Sequence, residues 1–376
     1  MKQVILEVFL YTVLVVPMAF STAGAADEAK PLIQIAILLD TSNSMDGLIE
    51  QAKTQLWKIV NEFATSKKEG QTPELQVALY EYGKSSLPAR EGYLRMILPF
   101  TTDLDKVSEE LFALTTNGGE EYCGRVIKAA AEELAWSKSS NDFKAIFIAG
   151  NEPFTQGNVD YRKACPLAIQ KGIIVNTIYC GSYEEGVATH WKDGADLADG
   201  KYLNIDQNLQ ALHIEAPQDR EIARLGEELN KTYIAYGARG KAGQERQAAQ
   251  DSNARVAAPG SFLQRTLSKS SALYKNESWD LVDAEKEGKV KVEELKDKDL
   301  PEEMQKMSQE ERKSYIKAKA QEREKIQAEI NRLNEERKKY VAEEMKKRSE
   351  SGENTLEAAI IQTLREQAAK KNFQFE

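Results

Sequence analysis

The stretch PLIQIAILLDTSNSM, residues 31–45, decides the fold because a long apolar run ends abruptly at an acidic residue. From Ile33 to Leu39 every residue except Gln34 is apolar, which is typical of a strand buried on both faces of a sheet. Asp40 and four short polar residues follow, and Gly47 then opens an amphipathic segment. A buried strand that ends in an acid and hydroxyls places those oxygens at the carboxyl edge of a sheet, where open α/β folds bind ligands.

Strand-like and helical patterns alternate downstream of this stretch. The predicted elements are a helix at 47–66, strands at 75–82 and 93–100, helices at 102–114 and 121–136, a strand at 143–149, a helix at 159–170, a strand at 173–179, a short helix at 188–197 and an edge strand at 201–205. The two strands before residue 100 are joined by about ten residues, too few for a helical crossover, so they are expected to pair antiparallel. The pattern predicts a doubly wound, mostly parallel α/β sheet with one antiparallel edge strand and helices on both faces, a Rossmann-like fold.

The chain divides into four segments by composition, the first of which is residues 1–25. Residues 31–215 form the predicted α/β domain, 216–260 a helix and a partly helical or loose linker, and 261–376 a charged α-helical region. Within the last segment a capping box at 308–311 opens a long helix. Its apolar residues recur at heptad-like spacing, with Arg323, Arg337 and Glu344 interrupting the stripe. These interruptions favour an antiparallel helical hairpin with the segment from 356 to 370 over a long dimeric coiled coil.

Residues 1–25 read as a secretory signal. Lys2 precedes an apolar stretch, and the small residues 23–25 place cleavage near Ala25 and Ala26. The alternative is a membrane anchor, but Glu7 and Pro17 interrupt the apolar stretch and leave it shorter than a bilayer requires. The sequence therefore predicts a secreted or periplasmic protein without a stable membrane span. The net charge of −9 argues against a general affinity for nucleic acid.

The motif Asp40-x-Ser42-x-Ser44 resembles the metal-ion-dependent adhesion site of von Willebrand factor type A domains. The resemblance covers about residues 32–206, and the segments NGGEEYCG and IAGNEPFTQG are similar to those of an exported bacterial subgroup. It implies a hard divalent cation, Mg²⁺ or Mn²⁺, that Ser42 and Ser44 ligate directly and Asp40 through water. It further implies an open coordination position for the carboxylate of a protein partner.

The sequence departs from the family pattern in both of the other loops that complete the site. Glu120, with Glu121 beside it, stands where a threonine is usual, and an acid there resembles a variant that ligates through a carboxylate. Gly150, followed by Asn151 and Glu152, stands where an aspartate is usual. One hypothesis is a rearranged site of Asp40, Ser42, Ser44 and Glu120, with Glu121, Asn151 and Glu152 as additional site residues. The alternative is a retained fold with a lost site, in which Asp40 only caps the following turn.

Three cysteines, Cys123, Cys165 and Cys180, leave two alternatives open. In an oxidising compartment one disulfide among them would leave a single thiol. Three small buried thiols fit equally well.

Three classes of function follow. The first is a module that binds a protein partner through the cation. The second is an assembly protein that forms homo-oligomers through its C-terminal helices and keeps only a vestigial metal site. The third is a hydrolase or redox enzyme that uses Glu120, Glu121 or a cysteine. The sequence offers no Ser/His/Asp arrangement, phosphate-binding glycine loop or zinc cluster, so we predict that the protein is not an enzyme.

Overall fold

The fold is organised around the strand that the apolar run forms. The structure is a computed structural model that describes residues 30–43, 45–205, 213–258, 260–349 and 356–375. The strands are β1 (Leu32–Asp40), β2 (Ser66–Lys67), β3 (Glu74–Tyr82), β4 (Leu94–Thr101), β5 (Phe143–Gly150), β6 (Ile174–Cys180), β7 (Tyr202–Ile205) and β8 (Gln374–Phe375). Six of them form one sheet in the order β4-β3-β1-β5-β6-β7, and β2 pairs with β8 in a separate ladder.

Only one pair in the six-stranded sheet is antiparallel. β3 and β4 pair antiparallel, whereas β1 pairs parallel with both β3 and β5, and β6 pairs parallel with β5 and β7. This confirms the doubly wound, mostly parallel sheet with one antiparallel edge strand that the sequence predicts.

Thirteen helices of the described residues surround this sheet. They are α1 (Asp46–Ala64), α2 (Leu104–Ala113), α3 (Cys123–Glu133), α4 (Tyr161–Gln170), α5 (Tyr183–Ala188), α6 (Trp191–Asp196), α7 (Asp219–Asn230), α8 (Gly240–Ala257), α9 (Ser261–Lys269), α10 (Leu281–Lys286), α11 (Glu302–Gln305), α12 (Gln309–Ser349) and α13 (Leu356–Ala369). None of the described helices is both long enough and apolar enough to cross a bilayer.

The side chains of β1 alternate between two hydrophobic cores. Ile35 and Leu39 pack on one face with α1, α2 and the C-terminal helices. Ala36 and Leu38 pack on the other face with α3 and α4. Burial on both faces explains why β1 reads as an unbroken apolar run rather than an alternating one.

The segment predicted as a partly helical or loose linker contains the helix α8. It has few large apolar residues, and small and polar side chains make its contacts. Gly243 lies so close to Trp279 that a Cβ there would be 2.2 Å from Cγ of the indole ring. Gln250 is buried and accepts a hydrogen bond from the hydroxyl of Ser108 in α2 at 2.8 Å. The sequence of α8 shows no hydrophobic periodicity because glycine and side-chain amides make contacts of this helix.

The charged helix α12 packs on other helices of the chain, and its polar interruptions form ion pairs there. The Arg323 guanidinium lies 2.8 Å from a carboxylate oxygen of Asp280 and 2.7 Å from one of Asp283. The Arg337 guanidinium lies 2.7 Å from a carboxylate oxygen of Asp219 in α7. Arg323 and Arg337, which interrupt the heptad-like stripe, are therefore buried and form ion pairs with acidic residues elsewhere in the chain.

The predicted hairpin between α12 and residues 356–370 does not form. Instead, α13 packs against β7 and α1 of the α/β domain. Gln367 of α13 exchanges two hydrogen bonds with the buried amide of Asn176 in β6, at 2.7 and 3.0 Å. The buried apolar residues Ile360, Leu364 and Ala368 of α13 belong to the core that β1 and α1 share, together with Phe373.

A buried ion cluster joins the α/β domain to the helical region. The side chains of Arg265 and Lys269 in α9 are fully buried. Arg265 lies 2.6 Å from Asp105 in α2 and 2.5 Å from Asp251 in α8, and Lys269 lies 2.8 Å from Asp251. The Tyr274 hydroxyl donates to Asp105 at 2.7 Å. Buried charges of this kind are tolerated only when every partner is present.

Arg265→Ala is expected to destabilise the protein strongly, because it would leave the carboxylates of Asp105 and Asp251 buried without the guanidinium. Removing one partner of a buried ion pair costs about 3–5 kcal/mol. Urea unfolding followed by circular dichroism measures this loss. The matched control is Arg224→Ala, which removes an exposed ion pair with Glu221 within α7 and should leave the transition unchanged. Equal effects of the two changes would contradict a structural role for the cluster.

Candidate functional site

The candidate site is built on the carboxyl ends of three neighbouring strands. Asp40 is the last residue of β1 and pairs with Tyr82, the last residue of β3. On the other side of β1 the register pairs Leu39 with Ala149, so Gly150 at the end of β5 comes beside Asp40. The strand ends therefore bring Tyr82, Asp40 and Gly150 into one row at the carboxyl edge of the sheet. This is the edge at which open α/β folds bind ligands.

The carboxylate of Asp40 is fully buried and only half satisfied. Its Oδ1 accepts a hydrogen bond from the backbone N–H of Ser42 at 2.8 Å. Its Oδ2 is buried and has no hydrogen-bond partner among the described residues. One oxygen therefore closes the turn after β1, as the capping alternative requires. The second oxygen, Oδ2, takes no part in this turn.

Burial raises the pKa of Asp40 to about 7. Hydrogen bonds from the backbone and side chain of Ser42 and from the backbone of Asn151 act in the opposite direction, and the charge of Glu152 raises the pKa further. A carboxyl with a pKa near neutrality at the edge of a sheet is the kind of group found at functional sites.

The second carboxylate of the site belongs to Glu121. The residue is only 5% exposed, and burial raises the pKa of its carboxyl to about 8. The charges of Asp40 and Glu152 raise this pKa further, whereas a hydrogen bond from the Ser42 side chain lowers it. Ser42, itself 4% exposed, thus contacts both carboxylates and joins β1 to the loop before α3.

Glu120, the acid that the sequence placed in the metal site, is exposed to solvent. The backbone N–H of the next residue, Glu121, donates to the side-chain oxygen of Gln156 at 2.6 Å. This bond fixes the loop with Glu121 facing inward and Glu120 facing outward. The pattern NGGEE places two acids in succession, and the sequence contains no signal that says which of them faces the sheet.

The loop after β5 brings a third acid near the other two but contributes no carboxylate at Gly150. Glu152 is half-buried, and its charge raises the pKa of both Asp40 and Glu121. Its backbone carbonyl accepts a hydrogen bond from the Trp191 indole at 2.8 Å. Asn151, which the sequence offered as an additional site residue, is half-buried between Gly150 and Glu152.

The family follows from a match over the same region. Residues 34–190 match the family model of the von Willebrand factor type A domain. The chain contains a VWA domain. This confirms the resemblance carried by Asp40-x-Ser42-x-Ser44. VWA domains are a protein-interaction fold that often carries a metal-ion-dependent adhesion site.

Solved structures of VWA-domain proteins are similar to this chain at low sequence identity. BatB from Bacteroides thetaiotaomicron is 18% identical, with 46% of this chain and 90% of that chain covered and a TM-score of 0.35. The SpRpn10 VWA domain is 15% identical, with 48% and 90% covered and a TM-score of 0.37. Proximal thread matrix protein 1 from the mussel byssus, solved with a zinc-occupied adhesion motif, is 13% identical, with 46% and 42% covered and a TM-score of 0.36. No curated protein matches the chain.

The donor set of this VWA domain suits a hard cation. Among the described side chains, no lysine or arginine forms an ion pair with Asp40, Glu121 or Glu152, although the charge of Glu152 raises the pKa of Asp40 and the charges of Asp40 and Glu152 raise the pKa of Glu121. A divalent cation would relieve this repulsion and would provide a partner for the orphaned Oδ2 of Asp40. The described part of the chain holds no group of three His, Cys, Asp or Glu side chains suited to a metal, and a cation at this edge would need hydroxyl groups and water as further ligands. Ser44, predicted as one of those hydroxyl ligands, lies outside the described residues.

The predicted disulfide is absent, since Cys123, Cys165 and Cys180 of the VWA domain are all free and buried. They lie on separate elements, α3, α4 and the end of β6. Burial raises the pKa of the Cys165 thiol to about 12 and that of Cys123 well above its ordinary value. The alternative of three small buried thiols is therefore the observed one. A nucleophilic thiol would need a lowered pKa and access to solvent.

Glu121→Gln is expected to change how the stability of the VWA domain depends on pH in the absence of divalent cations. The pKa of Glu121 is raised to about 8 in the folded state from 4.5. The folded protein therefore holds this proton more tightly than the unfolded chain, and Glu121 lowers the free energy of unfolding as pH rises from about 4.5 to about 8. The melting temperature of the variant minus that of the parent, measured in chelator, should increase between about pH 5 and about pH 8.5.

The matched control for this measurement is Glu120→Gln, the same change on the neighbouring exposed side chain. Its melting temperature relative to the parent should stay constant over the same pH interval. Titrating groups that do not interact with these two side chains are shared, so they cancel in both differences. A constant difference for Glu121→Gln as well would contradict the burial of that carboxyl.

Proposed function

We propose that the VWA domain binds a protein partner through a divalent cation, Mg²⁺ or Mn²⁺, held by Asp40, Ser42, Ser44 and Glu121. The observation that carries this proposal is the buried Oδ2 of Asp40, which has no hydrogen-bond partner among the described residues. Compared with the sequence prediction, Glu121 replaces Glu120 in the ligand set.

The residues of the proposed site would supply the cation with both charged and neutral donors. Asp40 and Glu121 supply two negative charges, and Ser42 supplies a neutral hydroxyl that already contacts both carboxylates. Few direct charges would leave the cation able to accept one further carboxylate, and this is the chemistry it would supply to a partner. Asn151 and Glu152 remain candidates for bonds to coordinated water.

The burial of the donors indicates how a partner would reach the site. Asp40, Ser42 and Glu121 are 0%, 4% and 5% exposed, whereas Glu120 on the rim is exposed. Such an arrangement suits a single acidic side chain of the partner better than a flat surface.

The two other classes of function have less support. The apolar residues of α12 that could drive oligomerisation, Ile330 and Leu333 among them, are buried in the chain's own core. The thiols that a redox enzyme could use are buried with raised pKa. VWA domains are mostly interaction modules rather than enzymes.

Titration of Mn²⁺ into chelator-treated protein, followed by isothermal calorimetry, tests the cation. We expect Ser42→Ala and Glu121→Gln to weaken binding by about tenfold or more, because each removes a donor of the site. Glu120→Gln makes the same chemical change one residue away and should alter the affinity by less than about threefold. Absence of heat from the parent protein, or equal losses in both glutamate variants, would overturn the proposed site.

The partner is tested with the same variants. A protein retained by the immobilised parent chain should elute with chelator. It should be missing from Ser42→Ala but present with Glu120→Gln. A partner that binds all three equally and resists chelator would use another surface.

Export is proposed from residues 1–25, which lie outside the described residues. We expect the mature protein in the exported fraction to begin at Ala26, because the small residues before it form the predicted cleavage site. Intact-mass measurement of the purified protein checks this start. A chain that retains its first 25 residues after export would support the membrane-anchor alternative.

A further inference from the structure

The hydroxyl of Tyr82 fills the space above Gly150. Tyr82 is fully buried, and its hydroxyl donates to the carbonyl of Ala149 at 2.9 Å. Its ring therefore reaches from the end of β3, past Asp40 on β1, to β5. A Cβ on Gly150 would lie 2.6 Å from the Tyr82 oxygen, which is shorter than any ordinary carbon contact. A side chain at position 150 and the Tyr82 hydroxyl thus exclude each other.

The same space borders the orphaned oxygen of the site. The Cβ position of Gly150 lies 3.1 Å from Oδ2 of Asp40 and 3.1 Å from Cη2 of Trp191. A side chain that left β5 at this point would therefore arrive directly at the carboxylate of Asp40. Trp191 closes the far side, since its ring is fully buried and its indole N–H is held by the carbonyl of Glu152 at 2.8 Å.

We propose that Tyr82 is the positioning residue that decides which loop supplies the second carboxylate of the cation site. This inference rests on the proposed function, in which Asp40 and Glu121 both serve the cation. With its hydroxyl over Gly150, Tyr82 bars a carboxylate from β5 and leaves Glu121, from the loop before α3, as the second acid. Tyr82 is fully buried and its hydroxyl is held by the carbonyl of Ala149, so it would act on the cation by positioning the second acid rather than as a ligand.

On the other side of Asp40, Gly83 leaves space for the side chain of Glu121. A Cβ on Gly83 would lie 2.6 Å from Oδ1 of Asp40 and 2.8 Å from Cγ of Glu121. Gly83 also has a φ of +82°, a conformation that favours glycine. The absence of a side chain there lets Glu121 approach Asp40, while the hydroxyl of Tyr82 closes the approach from β5. Together, Gly83 and Tyr82 fix the side from which the second acid comes.

The test is an exchange of carboxylates, read as Mn²⁺ affinity by calorimetry in the full chain. In the parent, Glu121→Gln should weaken binding by about tenfold or more. In a Tyr82→Phe/Gly150→Asp background, the new acid can replace it, so Glu121→Gln should cost less than about threefold. With Tyr82 present, Gly150→Asp should not rescue Glu121→Gln. Rescue by Gly150→Asp regardless of Tyr82 would overturn the proposal.

A second measurement keeps the inference separate from the proposed function. Gly150→Ala introduces only the Cβ, and its effect on the melting temperature is compared in the parent and in the Tyr82→Phe background, without metal. A larger loss of melting temperature when the hydroxyl is present supports the exclusion of side chains by Tyr82. Equal losses would refute it. If the parent binds no Mn²⁺, the proposed function fails, whereas this comparison still decides whether Tyr82 controls the space at Gly150.

Discussion

The carboxylate of Asp40 is held in a row between Tyr82 and Gly150, and the rest of the site depends on that confinement. β1 is buried on both faces, so its last side chain emerges from the core into a space bounded by the two neighbouring strands. Water cannot solvate an acid in this position, and Ser42 satisfies only one of its two oxygens. The other oxygen has no hydrogen-bond partner among the described residues, and this is the physical basis for proposing a cation at this edge.

Much of the sheet could be predicted because the apolar composition of its strands indicates that they are buried. Apart from Gln34 and Lys144, residues 33–39 and 143–149 are apolar on both faces, and the short connection between β3 and β4 leaves only an antiparallel pairing. The site was predictable as far as Asp40 and Ser42, which are fixed by their distance from the end of β1. Glu121 was not predictable as the inward acid, because its orientation depends on Gln156, a residue 35 positions away.

The helical region was harder to read because its contacts are polar. α8 packs through Gly243, Gln250 and Asp251, none of which produces a hydrophobic period. The arginines of α12 looked like interruptions because their acidic partners lie in other helices, far away in sequence. Sequence periodicity reports apolar faces, whereas ion pairs and amide pairs between distant elements leave no local trace. Consequently, the existence of α12 and α13 was predictable but their packing partners were not.

The buried acids of the candidate site lower the stability of the metal-free fold. Asp40 and Glu121 are buried with raised pKa, so in the metal-free protein near neutral pH they either bind a proton or repel each other. A sheet selected only for stability would place a neutral or apolar residue at the end of β1. The buried cluster around Arg265 shows the contrast, because there each acid has a cationic partner within 2.8 Å. Among the described residues, the buried acids therefore have cationic partners elsewhere in the chain and lack them at the carboxyl edge. This difference argues that the acids at that edge are kept for a ligand that the chain itself does not supply.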